Sequence, residues 1–168
     1  AHSLLLVAKL QILADYNGLN LTFGTLSALC KYIAKSNEIR RESHAESKPG
    51  HFASENQLVD QIRDKTGTGY ARNPITFLVE AADDIVYSVA DVEDGIKKGI
   101  SCWADLRNEL GSESTEVINS TERILKAGSA DIPKELPDDV WASAFRTAAI
   151  ALLVPSVVDA FKAHYDSI

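Results

Sequence analysis

The sequence contains no methionine, only two cysteines and few aromatic residues, 7% of the chain. Each scarcity excludes something. Cys30 and Cys102 are unclustered and make no disulfide framework, so they read as reduced thiols of a cytoplasmic protein. Nine glycines and five prolines in 168 residues exclude collagen-like and low-complexity classes. The longest apolar run, Ala148 to Val154, falls far short of the roughly 20 residues that cross a bilayer, so no membrane partner is expected. The beginning of the chain lacks the basic, apolar and small-residue regions of a secretory leader. Positive charge is also scarce: 17 Lys and Arg face 24 Asp and Glu, giving −7. That balance gives no indication of a nucleic-acid partner, and a phosphate-bearing ligand needs a local basic patch or a metal. With no methionine and a helical pattern already under way at Ala1, the sequence looks like a piece of a longer chain.

What is present is helical. A length of 168 residues suits one compact domain. Apolar residues recur at helical spacing almost throughout, with no alternating β-branched run. The spacing predicts a first helix from Ser3 to Tyr16, through Leu13, ending at Asn17-Gly18. A second is expected to follow a Thr22 cap through Leu26, Leu29 and Ile33. Ser54-Glu55-Asn56-Gln57 has capping-box spacing and opens a third helix, closed by Gly67. Asn73-Pro74 starts a fourth, which ends at Lys97-Lys98 before Gly99, where the macrodipole favours cations. Further helices fit Ser101 to Leu110, Ser114 to Lys126 and Asp139 to Tyr165, the last with Pro155 inside to kink or split it. Gly128 to Asp139 reads as a connector. The expected class is all-α, without internal repeats.

Two segments carry chemistry. From Lys31 to His51 the chain is long, polar and mixed in charge: Lys31, Lys35, Arg40, Arg41 and Lys48 against Glu38, Glu42 and Glu46, a net +2. Long charged loops in compact domains are often functional, although a solvated surface loop has the same composition. The second is Leu78 to Asp91. It is apolar on most of its circumference, which predicts a buried helix, yet it contains Glu80, Asp83, Asp84 and Asp91 and no base. Adjacent Asp83 and Asp84 point about 100° apart, so at least one is expected to face inward, where a carboxylate needs a cationic or metal partner. Asp83, Tyr87 and Asp91 form one stripe at i, i+4 and i+8. That stripe can hold a hard cation, stack on a sugar or base, and accept a hydroxyl hydrogen bond. Equally, the two aspartates can pair with lysines of neighbouring helices while Tyr87 packs in a core.

The stretch LVEAADDIVYSVADVEDG, Leu78 to Gly95, resembles the signature helix of the deoxyguanosine triphosphate triphosphohydrolases, a branch of the HD-domain metal phosphohydrolases. Val7-Ala8-Lys9-Leu10-Gln11, Gly18-Leu19-Asn20-Leu21-Thr22, Leu29-Cys30-Lys31-Tyr32, Lys48-Pro49-Gly50 and Arg72-Asn73-Pro74 follow the family's order. The resemblance covers residues 1 to 100, an HD-type core, and fades into a helical continuation over 101 to 168. It implies an HD-domain-like multi-helix bundle and hydrolysis of a deoxynucleoside triphosphate to deoxynucleoside and inorganic triphosphate. A divalent cofactor, Mg²⁺ or Mn²⁺, is implied, with Asp83 as its ligand and so catalytic through the metal. Tyr87 matches the tyrosine packing on the deoxyribose, and Asp91 the carboxylate near the 3′-hydroxyl. Lys31, Tyr32 and Lys48 resemble the residues that reach the triphosphate. The family also implies a homo-oligomer.

One departure stands out. None of the four histidines is followed by aspartate, so the family's His and His-Asp ligands are not in this sequence. They are expected upstream, which would leave the chain alone inactive, with one metal ligand of four. His44 and His51 are available as substitutes, but loop histidines are expected to be exposed. Two other readings stay open: a different HD-type nucleotide phosphohydrolase, and a non-catalytic helical module that binds nucleotide or regulates.

Overall fold

The computed structural model describes residues 2–12, 16–111, 114–127 and 136–167. Among them the chain is all-α, with seven α-helices and no strand. Its contacts divide into two units, one ending at Glu80 and the other spanning Ala81–Ser167.

In the first unit, α1 (His2–Leu5) passes directly into one wide π-type turn, Leu6–Leu10, closed by a Gln11 N–H bond to the Leu6 carbonyl at 2.9 Å. The first helix is therefore shorter than its apolar spacing predicts; Leu13, Ala14 and Asp15 lie outside the described residues. Helix α2 (Phe23–Ala28) starts at Thr22, whose hydroxyl accepts from the Thr25 N–H at 3.2 Å. It ends well before the expected Ile33, because Ile33 N–H is taken by the Ala45 carbonyl at 2.9 Å. Helix α3 (Asn56–Thr66) follows a single 3₁₀ turn. The capping partner is Glu55, whose Oε2 accepts from Phe52 N–H at 3.0 Å, rather than a pair starting at Ser54. Gly67 ends α3 with φ +69°, a conformation that favours glycine. Leu4, Leu26, Val59 and Ile62 form this unit's core, with Val7, Leu21, Cys30 and Leu58 packed on it.

Helix α4 (Ile75–Lys97) begins as its Asn-Pro signal predicts, with Asn73 Oδ1 accepting from Ile75 N–H at 2.9 Å. Its first turns belong to the first unit and the remainder to the second. There it is joined by α5 (Trp103–Leu110), α6 (Thr115–Ala127) and α7 (Asp138–His164). The core is Val89, Trp103, Phe145 and Ala149, with Trp103 stacked on Trp141 at 5.2 Å between centroids. Asp138 Oδ1 accepts from Trp103 N–H at 3.2 Å, tying the start of α5 to the start of α7. Pro155 does not split α7, which runs continuously past it. The connector predicted before α7 lies outside the described residues up to position 135.

By length and composition α7 and its last turn, Asp138–Ser167, are long and apolar enough to cross a membrane, with a window of mean hydropathy 1.6. The longest uninterrupted run underestimates this because alanines and valines extend the apolar average on both sides. In this unit, however, Ala142, Ala144, Phe145, Ala148 and Ala149 are buried against protein, and Arg146 between them forms an ion pair.

Candidate functional site

Two arms of the basic loop are joined where the chain pairs with itself. Ala34 and Pro49 form an isolated parallel bridge, and Gly50 N–H donates to the Ala34 carbonyl at 2.9 Å. Gly50 passes so close to Tyr32 that a Cβ there would stand 1.8 Å from the Tyr32 carbonyl oxygen. Only glycine allows that approach. From the other side, Arg63 on α3 donates to the Ile33 carbonyl at 2.7 Å. The bridge brings together three predicted site residues that lie up to 17 positions apart. Lys31 Nζ stands 5.9 Å and Lys48 Nζ 5.6 Å from the Tyr32 ring centroid, both within cation–π range.

Lys31 is also bound to Glu80, Nζ to Oε1 at 2.9 Å, while Arg72 Nη2 donates to Glu80 Oε2. Arg72 is almost wholly buried and lies over the Phe77 ring at 4.5 Å. His44 approaches the same carboxylate, Nε2 to Oε1 at 3.9 Å, and its ring lies 6.2 Å from that of Tyr32. Burial pushes the Glu80 carboxyl upward, but hydrogen bonds from Arg72 and Lys31 outweigh it and hold the group below the usual range. Two permanent cations, Lys31 and Arg72, bind this one carboxylate, and Lys48 shares the Tyr32 ring with Lys31, so the cluster keeps a net positive charge, which is what a polyphosphate requires. Sequence reasoning assigned no role to Arg72 or Glu80; nothing in their spacing across the Asn-Pro helix start signals the pair.

In the second unit, the buried face of α4 is Ile85, Val89, Glu93 and Ile96. Asp83, Tyr87 and Asp91 lie on another stripe and are exposed, Tyr87 by 63%. This corrects two expectations. The helix is packed on one face rather than all round, and Asp83 and Asp84 both point to solvent. The buried acid is Glu93, only 3% exposed. Lys97, Ser143 and Arg146 all donate to it, at 2.8, 2.8 and 2.9 Å. Its carboxyl is held below the usual range, first by the Lys97 hydrogen bond. The bases absent from the helix's own acidic stretch come from its C-terminus and from α7. Among the described residues no ion pair engages Asp83 or Asp91, and Tyr87 is not a core residue, so the paired-lysine reading of this stripe does not hold.

His51 is buried rather than exposed, with Nε2 3.0 Å from Asn56 Oδ1. Burial lowers its pKa, against the opposing hydrogen bond that its ring donates to Asn56 Oδ1. His44 is exposed as expected. Among the described residues no three His, Cys, Asp or Glu side chains stand together as a metal site. The donor chemistry of Asp83 nevertheless suits a hard divalent ion: it is an accessible carboxylate with no ion pair among the described residues, and it would supply one ligand.

This all-helical chain, with its cationic loop cluster and accessible acidic helix, is similar in sequence to curated triphosphohydrolases. It is 44% identical over 100 residues to a deoxyguanosinetriphosphate triphosphohydrolase-like protein of Listeria monocytogenes, covering 60% of this chain and 22% of that protein. It is 34% identical over 136 residues to a deoxyguanosinetriphosphate triphosphohydrolase of Serratia proteamaculans, covering 78% and 24%. With a triphosphohydrolase-like protein of Synechocystis the identity is 31% over 160 residues, covering 88% and 33%. No family model matches the chain. The chain belongs to the deoxyguanosinetriphosphate triphosphohydrolase family, and it spans about a fifth to a third of the length of these curated relatives.

Proposed function

We propose that the protein hydrolyses dGTP or another deoxynucleoside triphosphate to deoxynucleoside and inorganic triphosphate, with an HD-type core. The observation that carries this reading is the Tyr32 platform. A bridge and a glycine close-approach bring both lysines onto one ring, giving a compact cationic seat in a chain of net charge −7. A site for a nucleoside monophosphate has less need of such a seat than one for a tetra-anionic triphosphate.

In this reading Lys31 and Lys48 neutralise the departing triphosphate, and Tyr32 keeps the two ammonium groups from recoiling from each other. Tyr87 packs on the deoxyribose and Asp91 accepts the 3′-hydroxyl hydrogen bond, both from side chains already exposed on α4. Asp83 would hold a divalent ion, Mg²⁺ or Mn²⁺, which when bound supplies polarisation of a phosphoryl oxygen and a water of lowered pKa. The full-length protein would act as a homo-oligomer in the cytoplasm.

The test is to incubate full-length protein with each deoxynucleoside triphosphate and Mg²⁺ or Mn²⁺, beside Asp83→Asn, and resolve the products by ion exchange. Deoxynucleoside and intact triphosphate, absent from the variant reaction, are expected. A near-normal rate in Asp83→Asn removes the assignment of that residue, and orthophosphate as the product assigns a different phosphohydrolase.

A further inference from the structure

We infer that Glu80 is a positioning residue, holding Lys31 in its phosphate-binding place while Arg72 holds Glu80; the inference rests on the triphosphate reading of the Tyr32 platform. A carboxylate in the middle of an anion site is otherwise a liability, since it repels the ligand and occupies its cations. Its surroundings give it another use. Arg72 is 9% exposed, lies on Phe77, and donates to one oxygen of Glu80. Lys31 is 43% exposed and takes the other oxygen at 2.9 Å. The series Arg72, Glu80, Lys31 thus runs from a nearly buried guanidinium, lying on the 39% exposed Phe77 ring, to a partly solvated ammonium, each member fixing the next.

A lysine carried on a solvated stem loses much rotamer freedom when it binds a ligand, and one already pinned loses less. Lys48 is placed differently: it is exposed, on the other arm, and its contact among the described residues is the Tyr32 ring. The two lysines therefore differ in preorganisation, and only Lys31 depends on Glu80. Bonds from Arg72 and Lys31 hold the Glu80 carboxyl below the usual range and so ionised at neutral pH, while His44 Nε2 stands 3.9 Å from the oxygen that Lys31 binds.

Simple electrostatics and positioning predict opposite signs, which makes the test sharp. Removing a negative charge from a cationic site strengthens anion binding if Glu80 only competes with the ligand. If Glu80 positions Lys31, Glu80→Gln weakens binding of inorganic triphosphate by about three- to tenfold. The measurement is calorimetric titration of full-length wild type, Glu80→Gln, Lys31→Met and the double variant with inorganic triphosphate. The expected result is weaker binding in each single variant and no further loss when Glu80→Gln is added to Lys31→Met. Unchanged or tighter binding in Glu80→Gln, with Lys31→Met still weakened, overturns the positioning role and leaves the triphosphate reading standing. No effect of Lys31→Met overturns the triphosphate reading itself. Should Glu80→Gln lose its fold through a stranded Arg72, Glu80→Asp keeps the charge and a partner for Arg72 but shortens the reach to Lys31 by one methylene, so weaker binding is expected from positioning and unchanged binding from competition alone.

Discussion

Substituting Gly50 by alanine tests how the basic loop is assembled. The added Cβ would lie 1.8 Å from the Tyr32 carbonyl oxygen and 2.5 Å from its carbon, where real contacts stay above 3.0 Å. The two arms must therefore open by about 1.2 Å, and both obstructing atoms are backbone, which has no rotamer to yield. Opening breaks the 2.9 Å bond from Gly50 N–H to the Ala34 carbonyl, a net loss of about 1 kcal/mol. Strain from forcing an extra carbon into a close-packed site adds about 1–3 kcal/mol. The sum is about 2–4 kcal/mol, spent where Tyr32 and Lys48 are held together. Hydrogen exchange at the Gly50 amide should accelerate by at least about tenfold, since each 1.4 kcal/mol corresponds to that factor. Binding of inorganic triphosphate should weaken in parallel, while circular dichroism shows the helices intact. Exchange within threefold of wild type would refute the argument that this contact holds the arms together.

The other expectations concern separate parts of the chain. Glu93→Gln should cost about 1.5–3 kcal/mol in urea unfolding, because it removes the charge from hydrogen bonds that Lys97, Ser143 and Arg146 all make. The same carboxyl titrates below its ordinary value in the fold, so the unfolded chain binds the proton first. Its stabilisation should be complete above the ordinary glutamate range near 4.5 and fade as pH falls toward the lowered value, a slope that Glu93→Gln removes. His51 behaves alike one range higher: burial lowers its pKa below 6.5, so stability should decline as pH falls from there, and His51→Gln should flatten that slope. Asp91→Asn should reduce discrimination against substrates lacking a 3′-hydroxyl by about tenfold, read as a ratio of kcat/KM values.

How far the sequence could be read depended on whether a signal was local. Helix starts that rest on one side chain bonding a nearby N–H were legible: Thr22 and Asn73 both cap where their residue types predict. So was the Gly67 stop. Endings decided by distant partners were not. Helix α2 stops before Ile33 because Ala45, twelve residues on, takes the Ile33 amide. The acidic stripe of α4 was legible as a stripe at i, i+4 and i+8, but its direction was not. Leu78, Val79, Val86 and Ala90 suggested burial all round, whereas the packed face is set by Ile85, Val89, Glu93 and Ile96 against the second unit. The half-buried Glu80 and the buried Glu93 found their bases through tertiary contacts: Glu80 through Arg72 and Lys31, Glu93 through Arg146, 53 residues away. The gathering of Lys31, Tyr32 and Lys48 came from resemblance to a family. Its physical cause, the bridge at Ala34 and Pro49 and the bare Gly50, is a backbone pairing that no side-chain pattern announces.

The central claim is the bond that is broken. Full-length protein turned over with dGTP and Mg²⁺ in water enriched in ¹⁸O, with the products weighed by mass spectrometry, tests it directly. The proposed hydrolysis yields inorganic triphosphate carrying one ¹⁸O atom and deoxyguanosine carrying none, because water enters at the α-phosphorus and the sugar oxygen leaves. Label in deoxyguanosine, or release of orthophosphate or pyrophosphate instead of intact triphosphate, would contradict it.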